Sequence, residues 1–444
     1  MYFVFFLQFL GAFNDNVFKN ALVILIAFHS IVILGMESQV LVTFSFALFI
    51  LPFFLFSALA GQIADKYSKT TLIGYIKFCE IIIMILATIG LYFQHYLFLL
   101  LVLFLMGLQS TFFGPIKYSI LPDLVDNISN ESKQVKMPSN HLLVSANGLV
   151  EMGTFAAILC GTLLGGLLAS SDFLVANFLP AILVMIAFTG WLLSFYLPRI
   201  KAADQQLKIR WNLWRESLVI ISYAKENSSV FRVVLLISWF WFIGASVLSQ
   251  LPNWTKNVLV ADEYVVTILL TCFSLGVGLG SILCSKLHQF FKYSSLTRGA
   301  SIGISLCLIF LVVSAFFAPP VQNLADQVHI DSLNINYFNL YFIFSYLSLL
   351  LLGFFGGLFI VPLYYFVQRY SKTSNLSRII AANNIFNALF MVISSLILSL
   401  FLLSGIKLPV IFMLLSLFNI VMVYWILSRD KKDSANQQHF FDLD

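Results

Sequence analysis

The chain reads as long apolar runs separated by short polar breaks. Mostly apolar runs of about 20 residues or more, the length a helix needs to cross a bilayer, fall at 3–30, 40–60, 71–93, 96–115, 142–169, 174–197, 232–252, 263–284, 300–318, 338–366, 378–403 and 409–428. The runs do not alternate apolar and polar residues, so they predict helices and not barrel strands. The pattern therefore predicts an all-α integral membrane protein with about twelve transmembrane helices.

Composition strengthens this picture. Hydrophobic residues make up 60% of the 444 residues, charged residues 10%, and mean hydropathy is +0.94. Soluble chains run near 45–50% apolar and about 25% charged, so the solvent for most of this chain must be lipid. No cleavable signal peptide is expected, because the first run carries Asn14, Asp15, Asn16 and Lys19 in its middle and continues to Leu34. Cys79, Cys160, Cys272, Cys284 and Cys307 lie in apolar stretches without CxxC or CxxH spacing. They read as packing residues, and neither a disulfide framework, a metal site nor a cofactor is expected.

The formal charge of +5 changes the picture only through its distribution. With the N-terminus placed in the cytoplasm, alternating spans put all 25 basic residues except Lys19, Lys77, Lys256 and Lys407 into cytoplasmic segments. That is the asymmetry of a positive-inside topology with both termini cytoplasmic. Nucleic acid is thereby excluded as a partner.

The longest cytoplasmic segment, 198–231, divides the chain into an N-terminal half (1–197) and a C-terminal half (232–430), each of six spans, followed by a tail (431–444). The segment is basic, and Trp211 and Trp214 fall at helical spacing from Leu213, Ser217 and Leu218, which predicts an amphipathic helix on the inner leaflet. The halves echo each other. Ala146-Asn147-Gly148-Leu149-Val150-Glu151 matches Ala382-Asn383-Asn384-Ile385-Phe386-Asn387 at an offset of 236, and Phe9-Leu10-Gly11-Ala12 matches Phe242-Ile243-Gly244-Ala245 at 233. Gly114-Pro115 resembles Val361-Pro362 at 247. An offset of six spans keeps both halves in one orientation, a parallel repeat that resembles the major facilitator transporters. The loop Gly61-Gln62-Ile63-Ala64-Asp65-Lys66-Tyr67-Ser68-Lys69 is similar to the major facilitator signature G-x-x-x-D-R/K-x-G-R/K, with Ser68 in place of the second glycine. Gly61, Asp65, Lys66 and Lys69 are thus candidate gate residues, able to hold a charge pair and a helix end.

Charged residues at mid-span are expensive and usually face a polar interior. Asp15 and Lys19 share a helix face, flanked by Asn14 and Asn16. They read either as a self-neutralising pair or as a wall of a substrate pathway. Glu151 suits a proton relay or a gate pair, or equally a pairing with Lys117. Lys77 and Glu80 read as a local, snorkelling pair near the inner end of the third span. Asn147, Asn383 and Asn387 are further candidate cavity residues. Opposite Asp15 in the repeat lie Leu248, Ser249 and Gln250, so the second wall is poorer in charge and suits an amphipathic substrate. The GxxxG pairs at Gly161/Gly165, Gly276/Gly280 and Gly353/Gly357 read as close helix contacts.

Three stretches are more specific. Gln8-Phe9-Leu10-Gly11-Ala12-Phe13-Asn14-Asp15-Asn16, Gly114-Pro115-Ile116-Lys117-Tyr118-Ser119-Ile120-Leu121-Pro122 and Ala146-Asn147-Gly148-Leu149-Val150-Glu151-Met152-Gly153-Thr154 resemble the bacterial lysophospholipid transporter family. The resemblance implies an inner-membrane flippase, with lysophosphatidylethanolamine-like lysolipids and membrane lipid as its partners. It implies Asp15 on the substrate pathway and Lys117 and Glu151 at a cytoplasmic gate. It also implies a separate acyltransferase and acyl-carrier-protein synthetase acting beside it. Some relatives carry an arginine in the seventh span where this chain has Gly244 to Gln250, which bears on head-group preference. The rival readings are a major facilitator exporter of drugs or metabolites and, from another class, a membrane acyltransferase. The acyltransferase rests only on an HxxxxD pattern at His439 and Asp444 in the polar tail, read as chance. No P-loop or HExxH motif occurs, and the chain is not expected to be an enzyme.

Overall fold

A computed structural model describes residues 2–28, 31–33, 38–131, 139–261, 263–288, 290–318 and 339–432. His439 and Asp444, Lys133 and Lys136 lie outside the described residues. The described chain is helical: α1 (Tyr2–Phe28), α2 (Ser38–Lys66), α3 (Lys69–Tyr92), α4 (Tyr96–Ser119), α5 (Leu121–Glu131), α6 (Ser139–Leu168), α7 (Asp172–Asn177), α8 (Leu179–Ser194), α9 (Leu213–Glu226), α10 (Ser228–Leu248), α11 (Leu251–Trp254), α12 (Glu263–Leu287), α13 (Tyr293–Phe317), α14 (Leu340–Tyr370), α15 (Leu376–Leu403) and α16 (Leu408–Lys432). Twelve helical segments among the described residues are long and apolar enough to cross a membrane. Helices satisfy their own backbone groups, which is the condition for crossing hydrocarbon.

The seventh of these segments, Ser228–Leu259, is not one regular helix. It pauses at Ser249 and Gln250 and then passes through α11 into a π-helical turn at Thr255–Leu259. The apolar pattern ends this span at 252, whereas the helical chain continues through the more polar Asn253, Thr255, Lys256 and Asn257 to Leu259.

The chain divides into two compact units. Unit 1 comprises Met1–Ala146, Gly153–Asn227 and Val367–Ala388; unit 2 comprises Asn147–Met152, Ser228–Phe366 and Leu389–Asp444. In unit 1, α2 packs on α4, α3 on α8, and α1 on both α4 and α8. Val17, Phe18, Leu22, Met84, Leu103 and Leu183 are buried together in its apolar core. In unit 2, α13 packs on α16 and α10 joins them.

Glycine sets how closely the helices approach. A Cβ built on Gly161 or Gly165 meets the backbone oxygens of Phe13 and Val17 on α1. One on Gly276 or Gly280 meets those of Leu350 and Phe354 on α14, and Gly353 and Gly357 return the contact to α12. These GxxxG pairs are close-packing contacts, as the spacing suggested. Lipid gives no hydrophobic drive for helices to associate, so contact of this kind carries much of the packing.

Candidate functional site

The polar groups of unit 1 gather where α1, α3 and α4 meet. Lys77 and Glu80 on α3 form an ion pair with Nζ 2.8 Å from Oε2, at 1% and 2% exposure. Glu80 is held from two other helices: Asn14 Nδ2 donates to its Oε1 at 3.0 Å, and Gln109 Nε2 to its Oε2 at 3.2 Å. Asp15 accepts a hydrogen bond from Ser110 on α4, and Ser110 is also 3.2 Å from Gln109 Oε1. Lys77 Nζ lies 5.2 Å from the centre of the Phe113 ring. The arrangement is a continuous network of two carboxylates, one ammonium and three polar side chains.

Two glycines on neighbouring helices explain why the lysine fits. A Cβ on Gly11 of α1 would lie 2.7 Å from Lys77 Nζ, and one on Gly190 of α8 would lie 3.5 Å from its Cδ. The two glycines leave a slot through which the side chain threads inward. Lys77 is therefore not the snorkelling residue its position suggested. It is a buried ion whose pairing with Glu80 is local but whose surroundings come from three other helices. Asn14 is fully buried, and its Oδ1 has no hydrogen-bond partner among the described residues. A buried acceptor left unpaired costs about 1–3 kcal/mol and calls for an explanation such as function.

Asp15 and Lys19 place their hydrogen bonds on different partners. Lys19 Nζ donates to Asn16 Oδ1 at 2.9 Å and lies 5.2 Å from the centre of the Phe49 ring, while Asn16 Nδ2 donates to Ala12 O at 2.7 Å. The shared helix face is real, yet the carboxylate is turned to α4.

A second cluster of unit 1 lies at the Lys66 end of α2. Asp65 is fully buried, and its carboxylate accepts the backbone N–H groups of Ser377 and Arg378 at 3.0 and 3.3 Å. These are donors in the first turn of α15, where a helix end favours an anion. Arg378 Nε adds a charge-assisted bond to Asp65 at 2.8 Å, and its guanidinium lies 5.1 Å from the centre of the Tyr223 ring on α9. Gly61, one turn before Asp65, makes the approach possible, since a Cβ there would lie 2.7 Å from that of Ala381. Lys69 Nζ bonds Asp123 and the Ser119 carbonyl, both at 2.7 Å. Lys66 is half-buried over the Tyr67 ring.

The segment after α8 docks on this cluster. Asp204 N donates to Asp65 O at 2.9 Å, and Arg210 N donates to Gln62 Oε1 at 3.0 Å. The loop signature, the start of α15 and the long connecting segment thus meet at one point of unit 1.

The other sequence-selected residues are distributed as follows. Lys117 is half-buried with Nζ 4.8 Å from the centre of the Tyr118 ring. Asn383 and Asn387 are buried on the part of α15 that belongs to unit 1. Asn147 and Glu151 are fully buried on the stretch of α6 that belongs to unit 2. Ser249 and Gln250 sit at the pause after α10, with Ser249 exposed and Gln250 accepting from Asn253 at 2.9 Å. Sequence reasoning missed Gln109, Ser110 and Arg378. The polar triplet Gln109-Ser110-Thr111 inside an apolar run was the available signal for the first two. From the sequence Arg378 is only one more basic residue of the cytoplasmic segments.

A family model described as transmembrane secretion effector, within the major facilitator superfamily, matches residues 33–325. The chain is 26% identical over 351 residues to the lysophospholipid transporter LplT of Photorhabdus laumondii, covering 76% of this chain and 73% of that one. It is also 26% identical over 369 residues to LplT of Serratia proteamaculans, covering 83% and 79%. Among solved structures, the human organic anion transporter MFSD10 superposes with a TM-score of 0.66 at 14% identity, over 96% of this chain and 99% of that one, a likeness of fold. With twelve membrane-length helical segments among the described residues and a family match over more than half its length, this chain belongs to the transmembrane secretion effector family of the major facilitator superfamily and is a multi-pass membrane transporter of that type.

Proposed function

We propose that this protein moves lysophospholipids, of the lysophosphatidylethanolamine kind, across a bacterial inner membrane by alternating access of two six-helix halves, 1–197 and 232–430. The likeness to lysophospholipid transporters over about four-fifths of the chain carries the choice of substrate. The ionic network around Asp15 supports it physically. A zwitterionic head group needs charged partners inside an apolar bundle, and buried ions in a membrane segment are retained where they act. Asp15, with Asn14, Asn16 and Lys19, would contact the head group, with Ser249 and Gln250 on the same pathway and Asn147, Asn383 and Asn387 lining it. The acyl chain would stay toward lipid. Asp65 and Arg378, with Gly61, Lys66 and Lys69, would form a cytoplasmic latch, with Lys117 and Glu151 beside it. Both termini would be cytoplasmic, and re-acylation would fall to a separate acyltransferase.

The test is uptake of radiolabelled lysophosphatidylethanolamine by spheroplasts that lack their own lysolipid transporter, with the protein, without it, and with Asp15→Asn. The expected result is uptake that depends on the protein and falls about ten- to a hundredfold in the variant, the scale of one hydrogen bond to a charged group. Background uptake with correctly inserted protein would remove the lysolipid reading. It would leave the second one, export of an amphipathic small molecule, which the secretion description of the matching family favours.

A further inference from the structure

The connecting segment carries a surface that the transport reading does not use. On α9, Glu216, Ile220 and Ala224 are buried at a spacing of four, so one face packs on the bundle. The opposite face is apolar and bare: Trp214 is 67% exposed and Leu218 72%, with Trp211 at 72% just before the helix. Such a face on a helix that is not itself a span needs an apolar occupant.

Its position says which. The Trp214 ring meets Phe54 of α2 edge-on, with centroids 6.0 Å apart. Phe54 lies twelve residues before Lys66, about 18 Å along the helix from its polar end. Trp214 is thus packed on the apolar stretch of a membrane-length helix, beside Leu51 on the same face, which is 42% exposed. The surrounding charge is complementary to an anionic leaflet. Arg199, Lys201, Lys208, Arg210 and Arg215 are exposed, and the acidic residue between them is Asp204. Aromatic anchors with adjacent basic side chains are the two signals that hold an interfacial helix on anionic lipid.

The same segment touches the buried cluster at Asp65. Asp204 bonds the Asp65 carbonyl, Arg210 bonds Gln62, and Tyr223 covers the Arg378 guanidinium. We infer that residues 199–226 form a binding site for anionic phospholipid at the membrane surface, and that lipid bound there holds the segment against the Asp65–Arg378 cluster. The leaflet's anionic lipid content then sets how readily that cluster opens. This goes beyond the substrate reading and does not depend on it.

The test is amide hydrogen exchange of the full-length protein in nanodiscs of phosphatidylcholine alone and of phosphatidylcholine and phosphatidylglycerol in equal parts. Amides of 205–226 should exchange about tenfold more slowly in the anionic discs, and those of Ser377 and Arg378 should slow with them. Lys208→Gln with Arg215→Gln, both exposed and outside the buried cluster, should abolish the difference while leaving the phosphatidylcholine rates unchanged. Equal exchange in the two discs would overturn the site, and slowing confined to the segment would overturn the latch. Bromine-labelled acyl chains supply a second readout. They should quench wild-type tryptophan emission more than that of Trp214→Phe, and equal quenching would overturn lipid as the occupant.

Discussion

Helices α1, α3 and α4 of unit 1 bury ions where α10, α13 and α16 of unit 2 bury neutral groups. Between α1, α3 and α4 the network consists of Lys77, Glu80 and Asp15 with Asn14, Gln109 and Ser110. Between α10, α13 and α16, Trp239 Nε1 donates to Asn419 Oδ1 at 2.9 Å, and Asn419 Nδ2 donates to the Ser301 carbonyl and to Ser305 Oγ, each at 2.9 Å. Ser305 and Ser416 then exchange hydroxyl-to-carbonyl bonds at 2.9 and 3.0 Å. The buried polar side chains that α10, α13 and α16 contribute among the described residues are all neutral. Glu151, the buried acid of unit 2, enters on α6.

The contrast teaches that helices of this chain pack without buried ions. Neutral interhelical hydrogen bonds suffice between α10, α13 and α16 and carry modest energy. The ions of unit 1 therefore exceed what packing requires. A buried ion pair is weak evidence for stability, since a well-packed apolar replacement often does as well. Its retention beside Asp15 fits the transport role proposed above.

The comparison can be broken at three points. The largest effect is expected from Lys77→Met, which leaves Glu80 buried without its ion partner. Thermal unfolding in detergent should show destabilisation of about 3–5 kcal/mol, and Lys77→Met with Glu80→Gln should recover most of it. Equal instability of the single and double variants would mean that the ions contribute through shape alone. Next comes Gly11→Ala, whose new methyl would press on the Lys77 ammonium. It should cost about 1–3 kcal/mol, and much less in the Lys77→Met background. A cost unchanged in that background would show that Gly11 acts elsewhere. The smallest effect is expected from Asn419→Leu in the neutral network, about 0.6 kcal/mol and at most about 2, with transport retained. Loss of transport there would erase the distinction between the two networks.

Much of this protein is written in its order of apolar and polar residues. Twelve spans, the helical class and the unusual mid-span polarity at Asn14-Asp15-Asn16 follow from the cost of moving polar groups into lipid, which acts residue by residue along the chain. The GxxxG contacts were legible for a similar reason, since glycine at that spacing has little use but close approach. The partners were not legible. Helical periodicity says which residues share a face but not which helix that face will meet. Asn14 finds Glu80 across 66 positions and Asp65 finds Arg378 across 313. Lys77 read as a residue reaching outward because lysine usually can. Two glycines on other helices turned it inward, and only the packed bundle brings Gly11 and Gly190 to its side.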